Sequence, residues 1–161
     1  MAVTQKITTF LWFNQEAEEA ASFYVSLFKD SKILSVTRYG DAGPGPKGSP
    51  MTVEFQLAGQ QFIALNGGPH FKFTEATSLF VDCESQEEID LLWSKLTADG
   101  GQESRCGWLK DRWGLSWQIV PSRFMKLMRE GEPKKAQAAF KAMMSMKKLD
   151  LPTLEKAYAQ G

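Results

Sequence analysis

The sequence predicts an α+β fold made of two βαβββ repeats and a helical extension. Three observations lead there. A strand-like run passing into an amphipathic helix occurs twice, and after each a hairpin turns near a glycine, Gly59 and then Gly114. Beyond Ser122 the composition shifts to Lys, Ala and Met. The expected modules are 1–70, 71–121 and a carboxy-terminal helical extension at 122–161.

Ile7 to Phe13 is apolar and rich in strand formers, and Asn14 after it is a favourable helix N-cap with acidic residues following in the first turn. Ala17, Ala20, Ala21, Tyr24, Leu27 and Phe28 recur at the spacing that lays one apolar stripe along a helix. Lys32 to Tyr39 reads as a second strand. A loop rich in Gly and Pro spans 40–50, and MTVEFQLAGQQFIALNGG then forms a hairpin turning at Ala58-Gly59.

The order repeats after GGPHFKFTEA. Thr77 to Asp82 is strand-like, Ser85-Gln-Glu-Glu88 is a capping-box signature, and Ile89, Leu92, Trp93 and Leu96 supply the helical stripe that Gly100-Gly101 ends. Superposed without gaps, the halves place Glu18-Glu19 on Glu87-Glu88, Tyr24 on Trp93, Leu27 on Leu96 and Thr9 on Ser78. Matching the hairpin glycines places Ile63 on Gln118. In the extension, Pro133 suits the first turn of a helix with Ala136, Ala139, Phe140, Met143 and Met144 on its apolar face. A last short helix follows Asp150, with Pro152 in its first turn.

Lys and Arg balance Asp and Glu at 19 each, which leaves no broad basic field for nucleic acid or an anionic membrane. Cys83 and Cys106 stand far apart with no C-x-x-C spacing, a pattern suited to a reducing compartment. The amino terminus lacks the basic and long apolar regions of a secretion signal, and no apolar run reaches membrane-spanning length. A cytoplasmic location is expected.

FLWFNQEAEEAASFYVSLF, LNGGPHFKF, EEIDLLWSKL, CGWLKDRWGLSWQIVP and AMMSMKKLDLPTLEKA together resemble the vicinal oxygen chelate superfamily of glyoxalases, extradiol dioxygenases and bleomycin-binding proteins. Within it they resemble the PhnB-like branch, many of whose members carry the label demethylubiquinone methyltransferase. The resemblance implies that each half curls its sheet into a half-barrel around a cleft, often with a second chain contributing to the assembly; sheet edges in need of cover and the apolar stripe of Ala136, Phe140 and Met143 make a homodimer the expectation. It also implies metal ligands, His, Glu or Gln, at the middle of the first and last strands of each half. The corresponding residues here are Thr9, Ile63, Ser78 and Gln118, a set poor in the donors that zinc, iron or nickel favour, so no metal or other cofactor is expected.

Strand alternation sends Thr9, Leu11 and Phe13 to one face, expected to line the cleft, and Phe10 and Trp12 to the other. It likewise separates Ser116 and Gln118, facing the cleft, from Trp117 and Ile119. Trp12 and Trp117 are then core aromatics, while Trp108, near the rim, either walls the pocket or packs in the core. The expected ligand-lining set is Thr9, Leu11, Phe13, Ile63, Ser78, Phe80, Trp108, Ser116 and Gln118, with no residue assigned to catalysis.

Other motifs read structurally. His70 stands alone in a loop, Cys83 and Cys106 read as buried inert thiols, and Asp82 as a solvated turn carboxylate. GPGPKG, Gly43 to Gly48, matches G-x-G-x-x-G in letters, but a strand rather than a helix follows, so it is no dinucleotide cradle. The leading expectation is a metal-free protein that binds a small aromatic or quinone-like metabolite. Two enzymatic alternatives stand beside it: a methyltransferase acting on a demethylubiquinone-like phenol, for which no glycine-rich strand-to-helix turn is present to hold S-adenosylmethionine, and a metal-dependent lyase or dioxygenase. An assembly module without catalysis, joined through the Met-rich tail, is a further alternative.

Overall fold

The computed structural model describes residues 5–161. The chain divides into two compact units, one ending at Lys72 and the other running from Phe73 to Gly161. The first contains β1 (Thr9–Phe13), α1 (Ala17–Val25), β2 (Lys32–Arg38), β3 (Pro50–Leu57) and β4 (Gln60–Asn66). Its sheet has the order β1-β4-β3-β2, with β1 parallel to β4 and the other pairs antiparallel.

Only two residues separate β3 from β4, Ala58 and Gly59, both at positive φ (48° and 83°), the backbone that a tight hairpin with right-handed strand twist requires. The start of α1 differs from expectation. Asn14 does not cap it: the helix begins at Ala17 after Glu16, whose side chain makes no capping hydrogen bond. The free Ala17 N–H instead donates to Asn66 Oδ1 at 2.8 Å, so the end of β4 caps the helix from across the sheet. The helix also stops before Leu27 and Phe28, because the Ser26 and Leu27 N–H groups bond back to Phe23 O and Tyr24 O in a tightened last turn.

The second unit contains β5 (Ser78–Cys83), α2 (Gln86–Thr97), β6 (Gln102–Glu103), β7 (Trp108–Lys110) and β8 (Ser116–Pro121), with sheet order β5-β8-β7-β6. Here the sequence signal is realised: Ser85 Oγ accepts from Glu88 N–H at 3.1 Å while Glu88 Oε2 accepts from Glu84 N–H at 2.9 Å. Ile89, Leu92, Trp93 and Leu96 are the buried stripe of α2.

Three helices complete this unit: α3 (Ser122–Glu130), which the sequence reading did not separate, α4 (Pro133–Met143) and α5 (Leu151–Gln160). Asp150 caps α5 by accepting from Thr153 N–H at 3.1 Å. Val120 at the end of β8, Phe124, Ala139, Leu149 and Leu154 form one buried cluster. The α4–α5 connection is also tied down by its backbone, since Cys106 and Gly107 N–H donate to Met146 O and Lys147 O, both at 2.8 Å. The extension therefore packs on the end of β8 rather than hanging from it.

Candidate functional site

In the first sheet the register separates the two faces. Phe55 pairs with Phe62, Val53 with Ala64, Thr9 with Phe62 and Leu11 with Ala64, so these residues share one face. The Tyr24 ring of α1 meets Phe55 with centroids 6.4 Å apart, which makes this the helix-covered face. Leu11 and Phe13, each 3% exposed, are core residues, and Thr9 has their parity. The expected facing of Thr9, Leu11 and Phe13 is thus corrected: the open face carries Phe10, Trp12 and Ile63, with Phe10 beside Ile63 and 53% exposed.

A length difference explains the reversal. Three residues join β1 to α1, whereas two join β5 to α2, so a gapless superposition keeps the helices in phase and inverts the first strand. Trp12 is accordingly no core residue beneath α1. It is half-buried, its Nε1–H donates to Gly68 O at 2.9 Å, and its ring meets Phe71 edge-on at 4.9 Å, pinning the loop after β4.

In the second sheet the expected parity holds. Ser78 pairs with Ser116, Phe80 and Trp108 with Gln118, and Lys110 with Ser116, which puts Ser78, Phe80, Trp108, Lys110, Ser116 and Gln118 on one face. Trp117, Ile119 and Leu109 are buried on the other. Gln118 Nε2–H donates to Ser78 Oγ at 2.9 Å, and Phe80 stands 47% exposed on the same face. Beside them Glu75, Gln102, Ser104, Trp108, Leu109, Lys110 and Ser116 line a hollow of 170 Å³. Lys110 Nζ forms an ion pair with Glu75 Oε1, which holds the Glu75 carboxyl below the usual carboxylate range. Ser116 is 1% exposed, and its hydroxyl has no hydrogen-bond partner among the described residues.

The tryptophan-rich hairpin is organised by a residue the sequence reading passed over. Asp111 is buried, and its carboxylate accepts from Trp113 N–H at 2.9 Å, Leu115 N–H at 3.1 Å and Trp117 Nε1–H at 2.9 Å. The signal available was an Asp three residues before a turn glycine and six before a strand Trp.

Cys83 is buried as expected, and burial pushes its thiol up to about 12. Cys106 is not: it is half-buried at φ 59°, with Sγ 3.8 Å from Met144 Sδ. His70 and Asp82 are exposed, and Asp82 Oδ1 accepts from Ser122 Oγ–H at 2.7 Å.

The GPGPKG loop wraps a side chain instead of a phosphate. A Cβ on Gly43 or Gly45 would come within 2.5 Å and 2.3 Å of the Tyr39 ring, and Tyr39 Oη–H donates to Asn66 O at 2.6 Å. With Asn14, Asn66 and His70 this loop borders a second hollow of 430 Å³ in the first unit.

The donor chemistry does not suit a resident transition metal. The register puts Phe10 beside Ile63 and Phe80 beside Gln118, and no group of three His, Cys, Asp or Glu gathers among the described residues.

Residues 5–120 match the family described as 3-demethylubiquinone-9 3-methyltransferase. The chain belongs to that family. This 3-demethylubiquinone-9 3-methyltransferase family chain is 43% identical to a PhnB protein of Bacillus cereus that bears the same label, over 73% of this chain and 99% of that one, with a TM-score of 0.67. It shares its fold with protein PA1353 of Pseudomonas aeruginosa (21% identity, 73% and 98% covered, TM-score 0.60). It shares it also with the fosfomycin resistance protein FosX of Listeria monocytogenes, a complex with Mn(II) and sulfate (12% identity, 73% and 92% covered, TM-score 0.50). No curated protein matches. The two four-stranded mixed sheets with their helices are the vicinal oxygen chelate fold, and α3, α4 and α5 lie beyond the residues that match the family.

Proposed function

We propose that this family member binds a small aromatic or quinone-like metabolite on the open face of its second sheet, without a resident metal. The observation that carries the reading is the side-by-side placement of Trp108, exposed Phe80 and the Gln118–Ser78 hydrogen-bonded pair on one face. Aromatic walls with few, fixed polar groups are what a small aromatic ligand needs for affinity and orientation. Gln118 Nε2 is held by Ser78, which leaves the amide oxygen as the group to accept from a ligand hydroxyl. Ile63 and Phe10 give the first sheet an apolar open face of the same kind.

Mass spectrometry of small molecules released on denaturing the purified protein tests this. A stoichiometric aromatic or quinone-like compound, lost from Gln118→Ala, is the expected outcome. Protein that releases nothing and binds no phenol at millimolar concentration contradicts it.

The family description favours a second reading, methyl transfer to a phenolic substrate. It requires S-adenosylmethionine to bind, and calorimetric titration with that compound decides it.

A homodimer is also proposed. Phe140 on the lysine-rich α4 and Met144 just after it are about half exposed, and β1, β2, β5 and β6 are the edge strands of their sheets. No helix among the described residues is long and apolar enough to cross a membrane. Two free cysteines support a cytoplasmic location.

A further inference from the structure

We infer that the hollow between Trp108, Lys110 and Ser116 takes the carboxylate of a small aromatic acid, and that Glu75 occupies Lys110 when no such acid is bound. The inference rests on the open-face reading above and narrows it to a ligand class.

Ser116 supplies the first observation. A hydroxyl buried without a partner forfeits its hydration for nothing, and such groups in native structures mark a missing ligand, water or role. Ser116 lies directly across the ladder from Lys110, on the same face, and both line the hollow. A hydroxyl and an ammonium thus border one hollow, and both can donate. What they suit is an acceptor oxygen carrying negative charge.

Glu75 supplies the second. A carboxylate of this chain already sits on Lys110 and comes from the segment before β5, with its side chain 60% exposed, so the contact a ligand must displace is an exposed ion pair of small worth. The other polar residues of the hollow, Gln102 and Ser104, are neutral, so once Glu75 swings away the hollow carries a single positive charge.

Trp108 fixes the rest of the ligand. It stands two residues from Lys110 on the same strand face, and such neighbours are about 6.5–7 Å apart. A single ligand can therefore lay a benzene ring against the indole and offer its carboxylate to the ammonium.

The experiment compares benzoate with benzyl alcohol, its uncharged analogue, at fixed ionic strength, following tryptophan fluorescence and the indole N–H signals of the intact chain. Benzoate is expected to bind about tenfold more tightly, as a charge-assisted contact would give. Ser116→Ala and Lys110→Met should each remove most of that preference. Glu75→Gln should tighten benzoate severalfold by removing the internal competitor, which a merely structural ion pair would not do. Equal affinities for the two compounds, or a Glu75→Gln protein that binds benzoate no better, would overturn the inference and leave the open-face reading standing if benzyl alcohol still shifts the Trp108 indole. If neither compound shifts Trp108, both fall together.

Discussion

Trp117 Nε1–H donates to Asp111 Oδ2 at 2.9 Å with both residues buried, the tryptophan 1% and the aspartate 2% exposed. The bond joins the β7–β8 connection to the strand that carries Gln118, so it fixes which way Gln118 points. Trp117→Phe keeps most of the packing and strands the carboxylate's partner site, and should cost about 1–3 kcal/mol. Trp117→Ala should cost about 3–5 kcal/mol, as truncation of buried large aromatics does. Asp111→Ala leaves three donors without their acceptor and should cost at least about 3 kcal/mol, by chemical denaturation. A near-neutral Asp111→Ala would contradict the hairpin's organisation.

Gln118→Ala should behave in the opposite way. It removes a half-buried side chain on the open face, so denaturation midpoints should stay close to those of the parent while ligand affinity falls. Ser116→Ala sharpens the contrast, because deleting a hydroxyl that has no partner among the described residues should leave stability unchanged or raise it. A loss of stability in Ser116→Ala would mean that the hydroxyl is satisfied.

The thiols should separate cleanly. Under native conditions a disulfide reagent is expected to modify Cys106 and spare Cys83 until the protein unfolds. Because the folded thiol of Cys83 titrates near 12 and the ordinary value is 9.0, the folded state holds its proton longer. The stability from this group is complete below pH 9 and declines as pH rises toward 12. Cys83→Ala should therefore show a flatter alkaline limb, and an unchanged pH profile would refute the assignment.

The glycine loop offers a matched pair of substitutions. Gly45→Ala drives a methyl into the Tyr39 ring, which is buried and held by its hydroxyl, and should cost about 1–3 kcal/mol as overpacking does. Gly40→Ala meets nothing within 4 Å among the described residues and should be close to neutral. Thermal denaturation of both, with proteolysis of the 40–49 loop, checks the difference.

Much of this was legible in the sequence. The hairpin at Ala58-Gly59, the capping box at Ser85 and Glu88, and Pro133 at the start of α4 are local devices whose chemistry lies within a few residues, and the structure places them as read. The second sheet's parity was also legible, because Trp117 and Ile119 alternate with Ser116 and Gln118. The first strand misled for a nonlocal reason. TTFLWF is apolar on both faces, so alternation could not choose a side, and the extra residue before α1 is invisible to a gapless superposition. The cap of α1 by Asn66 and the pairing of Lys110 with Glu75 cross 49 and 35 positions of chain, beyond what local pattern encodes.

The central claim, that the open face of the second sheet is the ligand face, is tested most directly by the five tryptophan indole N–H signals during a titration with phenol. Trp12, Trp93 and Trp117 each donate to a fixed acceptor within the protein, Gly68 O, Glu103 Oε1 and Asp111 Oδ2. With the signals assigned by single Trp→Phe substitutions, the account predicts a saturable shift of Trp108 while those of Trp93 and Trp117 hold still, and loss of that saturation in Gln118→Ala. A Trp108 signal that stays in place while phenol binds elsewhere would contradict it.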